Sequence, residues 1–407
     1  MGKSRFIFGL GLIFLFFNMG TTSAQDSIEK SKIYSEVSGN IKVDYRYFPD
    51  DALYPGQHQE YFSMRFQPEI YLEWNKGKQL LQFTGFARID QHDRKRSHAD
   101  IRELYWQGIF KNWELSIGIK KIFWGVTESN NLVNIINQAD VLEGSDVEHK
   151  LGQPMIHASF NQNWGTIDLY AMTYFREMKF PGQQGRLRPP FELDTSNTTY
   201  ESNSEKYNLD LAIRWSHSIG VFDLGISHFY GTSRLPLFKI RPGRTMTFSS
   251  HYELINQTGI DIQASTGSML WKAELIYRKS KRKTITAFTL GGEYTFSNLF
   301  SSGIDLGMLA EYNFDDRGSE SINGLNDDLF FGSRIAFNDP QSTDFLGGIV
   351  IDRNSKTLRY FVEANRRLGD SWKISIEASG FNNIDPAEFL YLIRNDSYLQ
   401  FSLTKYF

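Results

Sequence analysis

The sequence predicts an all-β protein, a transmembrane antiparallel β-barrel of about 18 strands like those of bacterial outer membranes. Three observations carry this prediction. An export signal precedes the strands, apolar and polar residues alternate to the last residue, and the gaps between strand-like segments alternate between short and long. Together they indicate an exported chain that crosses a membrane with strands.

The first residues carry the pattern of an export signal. Lys3 and Arg5 precede the apolar run 6–17, and small residues follow it. A cleaved signal peptide over residues 1–24 fits this pattern, because the run is shorter than the roughly 20 residues that a membrane-spanning helix needs. The alternative is an N-terminal anchor helix. With the signal removed, we expect the barrel to occupy residues 25–407.

The composition excludes several classes of protein. Aromatic residues make up 15% of the chain, with 33 Phe and 20 Tyr, yet the chain is polar on average and has no second long apolar run. A helical membrane protein is therefore excluded. The absence of cysteine excludes lipid-modified cysteine, disulfides and thiolate metal sites. A net charge of -3 gives no sign of a nucleic-acid partner.

Apolar and polar residues alternate with a period of two, which gives each strand one apolar and one polar face. Ile41 and Val43, for example, alternate with Lys42 and Asp44. A barrel with both chain ends on one side needs an even number of strands, so roughly 18 are predicted and roughly 16 are the alternative. The predicted strands are residues 33–48, 62–75, 79–90, 98–110, 112–124, 154–163, 165–177, 205–217, 220–232, 257–267, 269–280, 284–296, 300–314, 327–338, 343–353, 357–369, 371–382 and 397–407.

Two of these segments are irregular. Pro68 interrupts the strand 62–75, and because proline cannot donate a hydrogen bond to a ladder, we expect a β-bulge there. In the segment 98–110, Arg102 and Leu104 share one parity, so a charged and an apolar side chain would point the same way. This is the weakest of the predicted strands.

The connections between predicted strands alternate in length. Residues 75–78 and 217–220 form tight turns, whereas 125–153 and 178–204 are long. A soluble β-sandwich has short connections at both ends, so the asymmetry favours a barrel with short periplasmic turns and long extracellular loops. Aromatic residues also collect beside the short turns, as in an interfacial girdle. They are Trp74, Trp113, Trp164, Trp215, Phe296 and Trp372.

The lumen is expected to hold water and no plug domain. Only about ten residues separate the cleavage point from the first strand, and a barrel of roughly 16–18 strands encloses an aqueous channel. The inward parity carries acidic and basic residues in similar numbers, so one-sided charge selectivity is not predicted. The alternative role for these charges is to pair with one another and keep a wide lumen wet. The candidate pore-lining residues are Arg46, Arg65, Arg88, Lys120, Asp168, Asp210, Arg214, Asp261, Glu293, Asp305, Glu311, Arg334 and Arg359.

The connection 125–153 is partly apolar and rich in amides. Leu132, Ile135 and Ile136 follow at near-helical spacing, which indicates that the segment packs against a surface. The lumen wall is the nearest surface, so we predict a constriction loop folded into the pore. The alternative is a short helix that caps the rim. The candidate constriction residues are Glu128, Asn131, Asn134, Asn137, Asp140 and Glu143.

The run at residues 118–125, of the form G-x-K-x-x-x-W-G, and the Asn-rich segment 131–140 resemble porin-like outer-membrane families. In those families a strand ends in Trp-Gly and an Asn-Pro-x-Asp loop follows. The alginate-export and phosphate-selective porin groups share this general architecture. The resemblance implies an outer-membrane channel. Because this chain lacks the proline of the Asn-Pro-x-Asp step, the resemblance does not extend to a particular solute.

A passive channel for small hydrophilic solutes is the leading functional prediction. The second is an export conduit for a polysaccharide with a periplasmic partner. The third is a barrel enzyme, with His157 and Ser159, or Ser216 and His217, as candidate pairs. We expect no metal and no cofactor. The expected partners in a Gram-negative bacterium are outer-membrane lipid, the barrel assembly machinery during insertion and the solutes; the outward residues would serve lipid and homo-oligomer contacts equally well.

Overall fold

The computed structural model describes residues 33–144, 149–191, 197–241, 247–318, 321 and 324–407. The predicted signal peptide, residues 1–24, lies outside them. No described helix is long and apolar enough to cross a membrane.

Eighteen antiparallel strands form one closed barrel, as predicted, because the last strand pairs with the first. Every other pair consists of barrel strands that follow one another along the chain. The barrel strands are β1 (Tyr34–Tyr47), β2 (Glu60–Trp74), β3 (Gln79–Asp90), β4 (His98–Ile109), β5 (Trp113–Lys120), β6 (Gln153–Gln162), β7 (Gly165–Met172), β9 (Asp210–Ile219), β10 (Phe222–Thr232), β13 (Leu254–Thr266), β14 (Met269–Lys279), β15 (Thr284–Phe296), β16 (Asp305–Asp315), β17 (Asp327–Ala336), β18 (Asp344–Asp352), β19 (Leu358–Leu368), β20 (Trp372–Asn382) and β21 (Tyr398–Tyr406).

A small second sheet stands at the end of the barrel that carries the long loops. It consists of β8 (Thr199–Tyr200), β11 (Leu237–Arg241) and β12 (Thr247–Tyr252). We call this end of the barrel the long-loop end and the other the short-turn end.

The period-two pattern produces the wall as expected. On β1, the side chains of Val43 and Tyr45 face outward, whereas Asp44 and Arg46 are buried inside the barrel. Large apolar side chains are exposed on the outer face of nearly every strand. This surface is what a hydrocarbon environment would cover.

The seam between β1 and β21 is reinforced at the end of the chain. The backbones of Gly39 and Phe407 exchange two hydrogen bonds of 3.1 Å. The Phe407 ring lies 6.2 Å from the ring of Phe66 on β2. A side chain at position 39 would approach the Phe407 ring to 2.8 Å, so the glycine makes room for this terminal aromatic residue.

The prediction of a bulge at Pro68 is wrong. The β1–β2 register runs through Pro68, and the β2–β3 register is the same on both sides of it. The bulge lies one strand further on, where the register shifts between Thr84 and Gly85 and leaves Arg102 of β4 as the extra residue. Arg102 and Glu103 consequently both face inward, which accounts for the broken alternation in 98–110.

Two predicted strands end earlier in the structure than in the sequence. The segment 112–124 ends as a strand at Lys120, and 165–177 ends at Met172. After Lys120 the chain leaves the ladder because the side-chain amide of Asn137 takes over its hydrogen bonding: it accepts from the N–H of Ile122 and donates to the carbonyl of Lys120. Both strands therefore end where long loops begin.

Candidate pore constriction

The predicted constriction loop, residues 125–153, lies in the connection between β5 and β6, except for Gln153, which begins β6. We call this connection, residues 121–152, the constriction loop; its described residues 121–144 and 149–152 turn from the end of β5 into the barrel. Its tip residue Glu128 lies 2.9 Å from Arg334 of β17. Since β5 is the fifth and β17 the fourteenth of the eighteen barrel strands, these strands lie on opposite sides of the ring. The loop thus crosses the lumen.

The apolar face of the loop packs on the inner wall. Trp124, Val133 and Ile136 are buried together with inward apolar side chains of the wall strands. Residues 131–142 form no helix, although their spacing is near-helical. The burial of these side chains gives the loop its main apolar attachment. Their wall partners are Met155, Tyr170, Met172, Ala212, Phe229, Ile255, Ile276 and Ala287.

Two wall glutamates bind the loop backbone. Glu274 of β14, which is 1% exposed, accepts hydrogen bonds from the N–H groups of Val126, Thr127 and Val133 at 2.7–3.1 Å and from the Thr127 hydroxyl at 2.8 Å. A buried carboxylate needs such donors, and an irregular backbone needs acceptors.

Glu311 of β16 binds the adjacent backbone of the loop in the same way. It accepts from the N–H groups of Glu128 and Ser129 at 2.8 Å and from the Ser129 hydroxyl at 2.6 Å. The amide of Asn313 on the same strand donates to the Ser129 hydroxyl oxygen at 2.9 Å. The tip of the loop is therefore fixed to the wall at two carboxylates.

On the opposite flank, arginines hold the loop. Arg88 of β3 makes two hydrogen bonds, of 2.8 and 2.6 Å, to the Glu143 carboxylate and one of 2.7 Å to Asp44. The bulged Arg102 lies 2.5 Å from Asp140. Burial alone would raise the pKa of Glu143, but Arg88 and Arg96 hold it at about 2.

The structure assigns different positions to the six candidate constriction residues. Glu128 is the partly exposed carboxylate at the loop tip, 2.9 Å from Arg334 and 3.7 Å from Lys272. Asn134 accepts from the N–H groups of Trp124 and Gly125, and Asn131 lies against Gly125.

The remaining three are turned away from open space. Asn137 is buried and bonded to loop backbone, and Asp140 and Glu143 contact the arginines of the wall. The amide of Asn137 bonds to backbone groups that have no regular structure to pair them, and the two carboxylates pair with buried arginines. Asn137, Asp140 and Glu143 are therefore engaged in these contacts and do not line an opening.

Most of the candidate pore-lining charges lie in pairs. Arg214 makes a bidentate pair with Asp261 at 2.6 and 2.7 Å, and Asp210 pairs with Arg234 at 2.8 Å. Arg334 also approaches Glu293, at 3.7 Å. Pairing lowers the net field along the lumen.

The other candidates have individual surroundings. Arg46 donates to Gln400 at 2.8 Å, Lys120 donates to Ser116 at 3.1 Å, and Arg359 lies 3.6 Å from Asp328. Asp305 accepts from turn residues at the short-turn end. Within the described chain, Arg65 forms no ion pair and donates to Asn40 at 3.2 Å.

Sequence reasoning missed a second inward segment, which we call the mouth loop, residues 173–191. It leaves β7 and extends over the long-loop end to the loops beside β1 and β21. The buried Arg186 donates to the Asp396 carboxylate at 2.6 Å and stacks over Phe48 at 4.5 Å. The close spacing of Arg186 and Arg188 beside two prolines was the available sequence signal.

Chain-wide comparisons bear on the fold. No known family model matches the chain, and no curated protein sequence is significantly similar. Among solved structures, an engineered variant of the Rh. blastica porin is 12% identical over 92% of this chain and 100% of its own, with a TM-score of 0.45. OpdQ of Pseudomonas aeruginosa is 11% identical over 93% of this chain and 99% of its own, with a TM-score of 0.53. The chain has a porin-like barrel fold.

In this porin-like barrel the candidate catalytic pairs do not form. His157 Nε2 lies 2.8 Å from Asp168, and the imidazole stacks on Tyr170 at 4.4 Å. Among the described hydrogen bonds none joins His157 to Ser159 or Ser216 to His217, so these two serines lack the histidine base of the predicted pairs.

One group of potential metal ligands does come together. His98, Asp140 and Glu143 bring ligand atoms within 4.8 Å of one another. Both carboxylates are already bonded to Arg102 and Arg88, whose charges oppose a cation.

Proposed function

We propose that this protein is a passive channel in the bacterial outer membrane for small hydrophilic solutes. The observation that carries the proposal is the constriction loop, which crosses the lumen and is bonded to wall side chains of β3, β4, β14, β16 and β17. A loop fixed in this way narrows a wide barrel without filling it. The outer apolar face supports an environment of outer-membrane lipid, reached through the barrel assembly machinery.

The solute path in this proposal runs along the arc of the wall opposite the apolar underside of the loop. Inward side chains there include polar ones: Gln67 donates to Glu69, and Asn365 accepts from Ser375. Short polar side chains hold water and bind no one solute tightly, which suits diffusion. Because most lumen charges are paired, weak ion selectivity is expected.

Planar bilayer recording tests the proposal. The mature protein is refolded in detergent, and intact barrels are identified by their heat-modifiable electrophoretic mobility. We expect stepwise conductance increases and a reversal potential near zero in a KCl gradient. Bilayers with detergent alone, and with heat-unfolded protein, are the controls. Correctly folded protein that gives no current would contradict a channel.

Liposome swelling then addresses the solute class. Small sugars and amino acids are expected to enter protein-containing liposomes at rates that fall with size, whatever their charge. Saturable uptake of a single solute would contradict passive, unselective movement. The resemblance to the alginate-export and phosphate-selective porin groups rests on the 118–125 run and the Asn-rich segment 131–140. A polysaccharide is therefore included as a further test solute in this assay.

A further inference from the structure

The tip of the mouth loop is held by two loops of the rim. Its residues 182–185 bond to the connection between β1 and β2, residues 48–59, and to that between β3 and β4, residues 91–97. Gln57 donates to the carbonyl of Gly185 at 2.9 Å, and the carboxylate of Asp93 accepts from the N–H of Gly182 at 3.1 Å. Each rim loop thus supplies hydrogen bonds that hold the mouth loop.

Two histidines join these same rim loops. The imidazoles of His58 and His92 stack with centroids 3.7 Å apart and ring planes 12° from parallel. Tyr61 packs edge-on against both rings, accepts from the N–H of His58 at 3.1 Å and donates to the carbonyl of Gln184 at 2.5 Å. Tyr61 therefore connects the histidine stack directly to the mouth loop.

We propose that His58 and His92 form an acid-sensitive latch, which holds the mouth loop against the rim while neutral and releases it when protonated. The proposal rests on the channel function proposed above. Two imidazolium rings at this distance repel each other, whereas neutral rings stack favourably.

The surroundings offer little compensation for that repulsion. Within the described chain, neither imidazole has a carboxylate as a hydrogen-bond partner. Asp90 is bonded to Arg96 and to backbone, Asp93 to backbone, and Arg186 to Asp396. Besides the two histidines, the charged and titratable groups of the two rim loops, the adjoining strand ends and residues 182–188 of the mouth loop include Asp50, Asp51, Tyr54, Glu60, Tyr61, Asp90, Asp93, Arg94, Lys95, Arg96, Arg186 and Arg188.

The direction of the pH effect follows from the geometry. Burial and the neighbouring His58 lower the pKa of His92 below its ordinary value of 6.5, against the attraction of Asp90. The latched state therefore binds protons less readily than the released state. Its stability is present above the ordinary value and is lost progressively as the pH falls below it.

Bilayer recording between about pH 7.5 and about pH 5 tests the latch. We expect the conductance of the wild-type channel to rise on acidification. In the His92→Phe variant, which keeps an aromatic ring but cannot be protonated, the conductance should stay at the neutral-pH level. The His58→Lys/His92→Lys double variant, which carries two fixed positive charges, should show the high conductance throughout. Equal pH responses of wild type and His92→Phe would overturn the latch.

A second measurement does not depend on conduction. Because the chain has no cysteine, Ala52→Cys and Gln183→Cys give one defined pair of spin-label sites, both exposed, on the rim and on the mouth loop. The interspin distance should lengthen on acidification in the wild-type background and stay constant with His92→Phe. A pH-independent distance in both backgrounds would refute the latch, whereas absent current with the expected distance change would refute only the channel.

Discussion

The constriction loop leaves the wall at β5 and the mouth loop at β7, with β6 between these strands. Both loops extend across the barrel, but they are attached to different partners. The constriction loop is bonded to side chains of wall strands, chiefly Glu274, Glu311 and Arg88. The mouth loop is bonded chiefly to other loops, through Arg186, Gln57 and Asp93. Its contacts with wall strands include Tyr61 of β2 and Asp100 of β4. Strand residues are held by two neighbouring ladders, whereas loop residues are not.

The difference teaches how one barrel can combine a fixed and an adjustable narrowing. A loop tied to the wall shares the stability of the barrel. A loop tied to other loops opens at the lower free energy of those loops. We therefore expect changes at the constriction loop to alter the size of the channel, and changes at the mouth loop to alter its response to conditions.

The largest effect is expected from removing the constriction loop. Replacement of residues 126–149 by a short Gly-Ser linker should raise single-channel conductance severalfold, because the segment that crosses the lumen is gone. The same linker in place of residues 280–283, an exposed turn at the same end of the barrel, is the matched control and should change little. Unchanged conductance after the first replacement would show that the loop does not limit flow.

The mouth loop should be released by Arg186→Ala. Removing one partner of a buried ion pair typically costs about 3–5 kcal/mol, since the other charge stays buried without compensation. Protease cleavage within residues 173–191 should accelerate, and Asp396→Ala should act alike without adding to it. Arg353→Ala removes a solvent-exposed pair with Asp327, which contributes little to stability, and serves as control. Equal cleavage rates in the Arg186 and Arg353 variants would show that the Arg186–Asp396 ion pair does not hold the mouth loop.

A smaller effect is expected at Glu274. The Glu274→Ala variant leaves backbone N–H groups of the constriction loop unsatisfied, at a cost of about 1–3 kcal/mol for each group that water does not reach. Conductance noise should increase while the mean changes less than after loop removal. Glu274→Gln keeps an acceptor oxygen and should be milder, and Asp370→Ala, in an exposed turn at the short-turn end, is the control. Conductance noise that Glu274→Ala leaves unchanged would mean that the other attachments hold the loop without Glu274.

The smallest effect is expected from mild acid on the Arg88–Glu143 attachment. The pKa of Glu143 is about 2, below its ordinary 4.5, so its stabilising contribution is present above the ordinary value and is lost as the pH falls towards 2. In the His92→Phe background, Glu143→Gln should lower the stability of the constriction loop at neutral pH, whereas wild-type Glu143 should keep it constant to about pH 5. Hydrogen exchange of the loop amides gives the measurement. Loss of amide protection already above about pH 5 would show that a contact other than Arg88–Glu143 is the acid-sensitive one.

The barrel was predictable because its signal is local and repeated. Alternation at Ile41 to Asp44 specifies an inner and an outer face without knowledge of neighbours, and the long and short gaps order the strands. The prediction of a bulge at Pro68 failed because a missing hydrogen-bond donor interrupts a ladder without necessarily shifting its register. The extra residue at Arg102 was visible as broken parity but could not be assigned to a bulge without the facing strand.

The candidate site divides in the same way. The sequence by itself determined the strand count, the closing strand and the presence of an apolar, amide-rich insertion after β5. Only the tertiary structure decided that Glu274 and Glu311 bind that insertion and that its Asp140 contacts Arg102 of the wall. It alone also decided that the mouth loop reaches Asp396 across the barrel. The physical reason is separation: periodicity encodes which face a residue occupies, whereas a hydrogen bond between residues far apart in the chain depends on how the closed barrel brings opposite strands together.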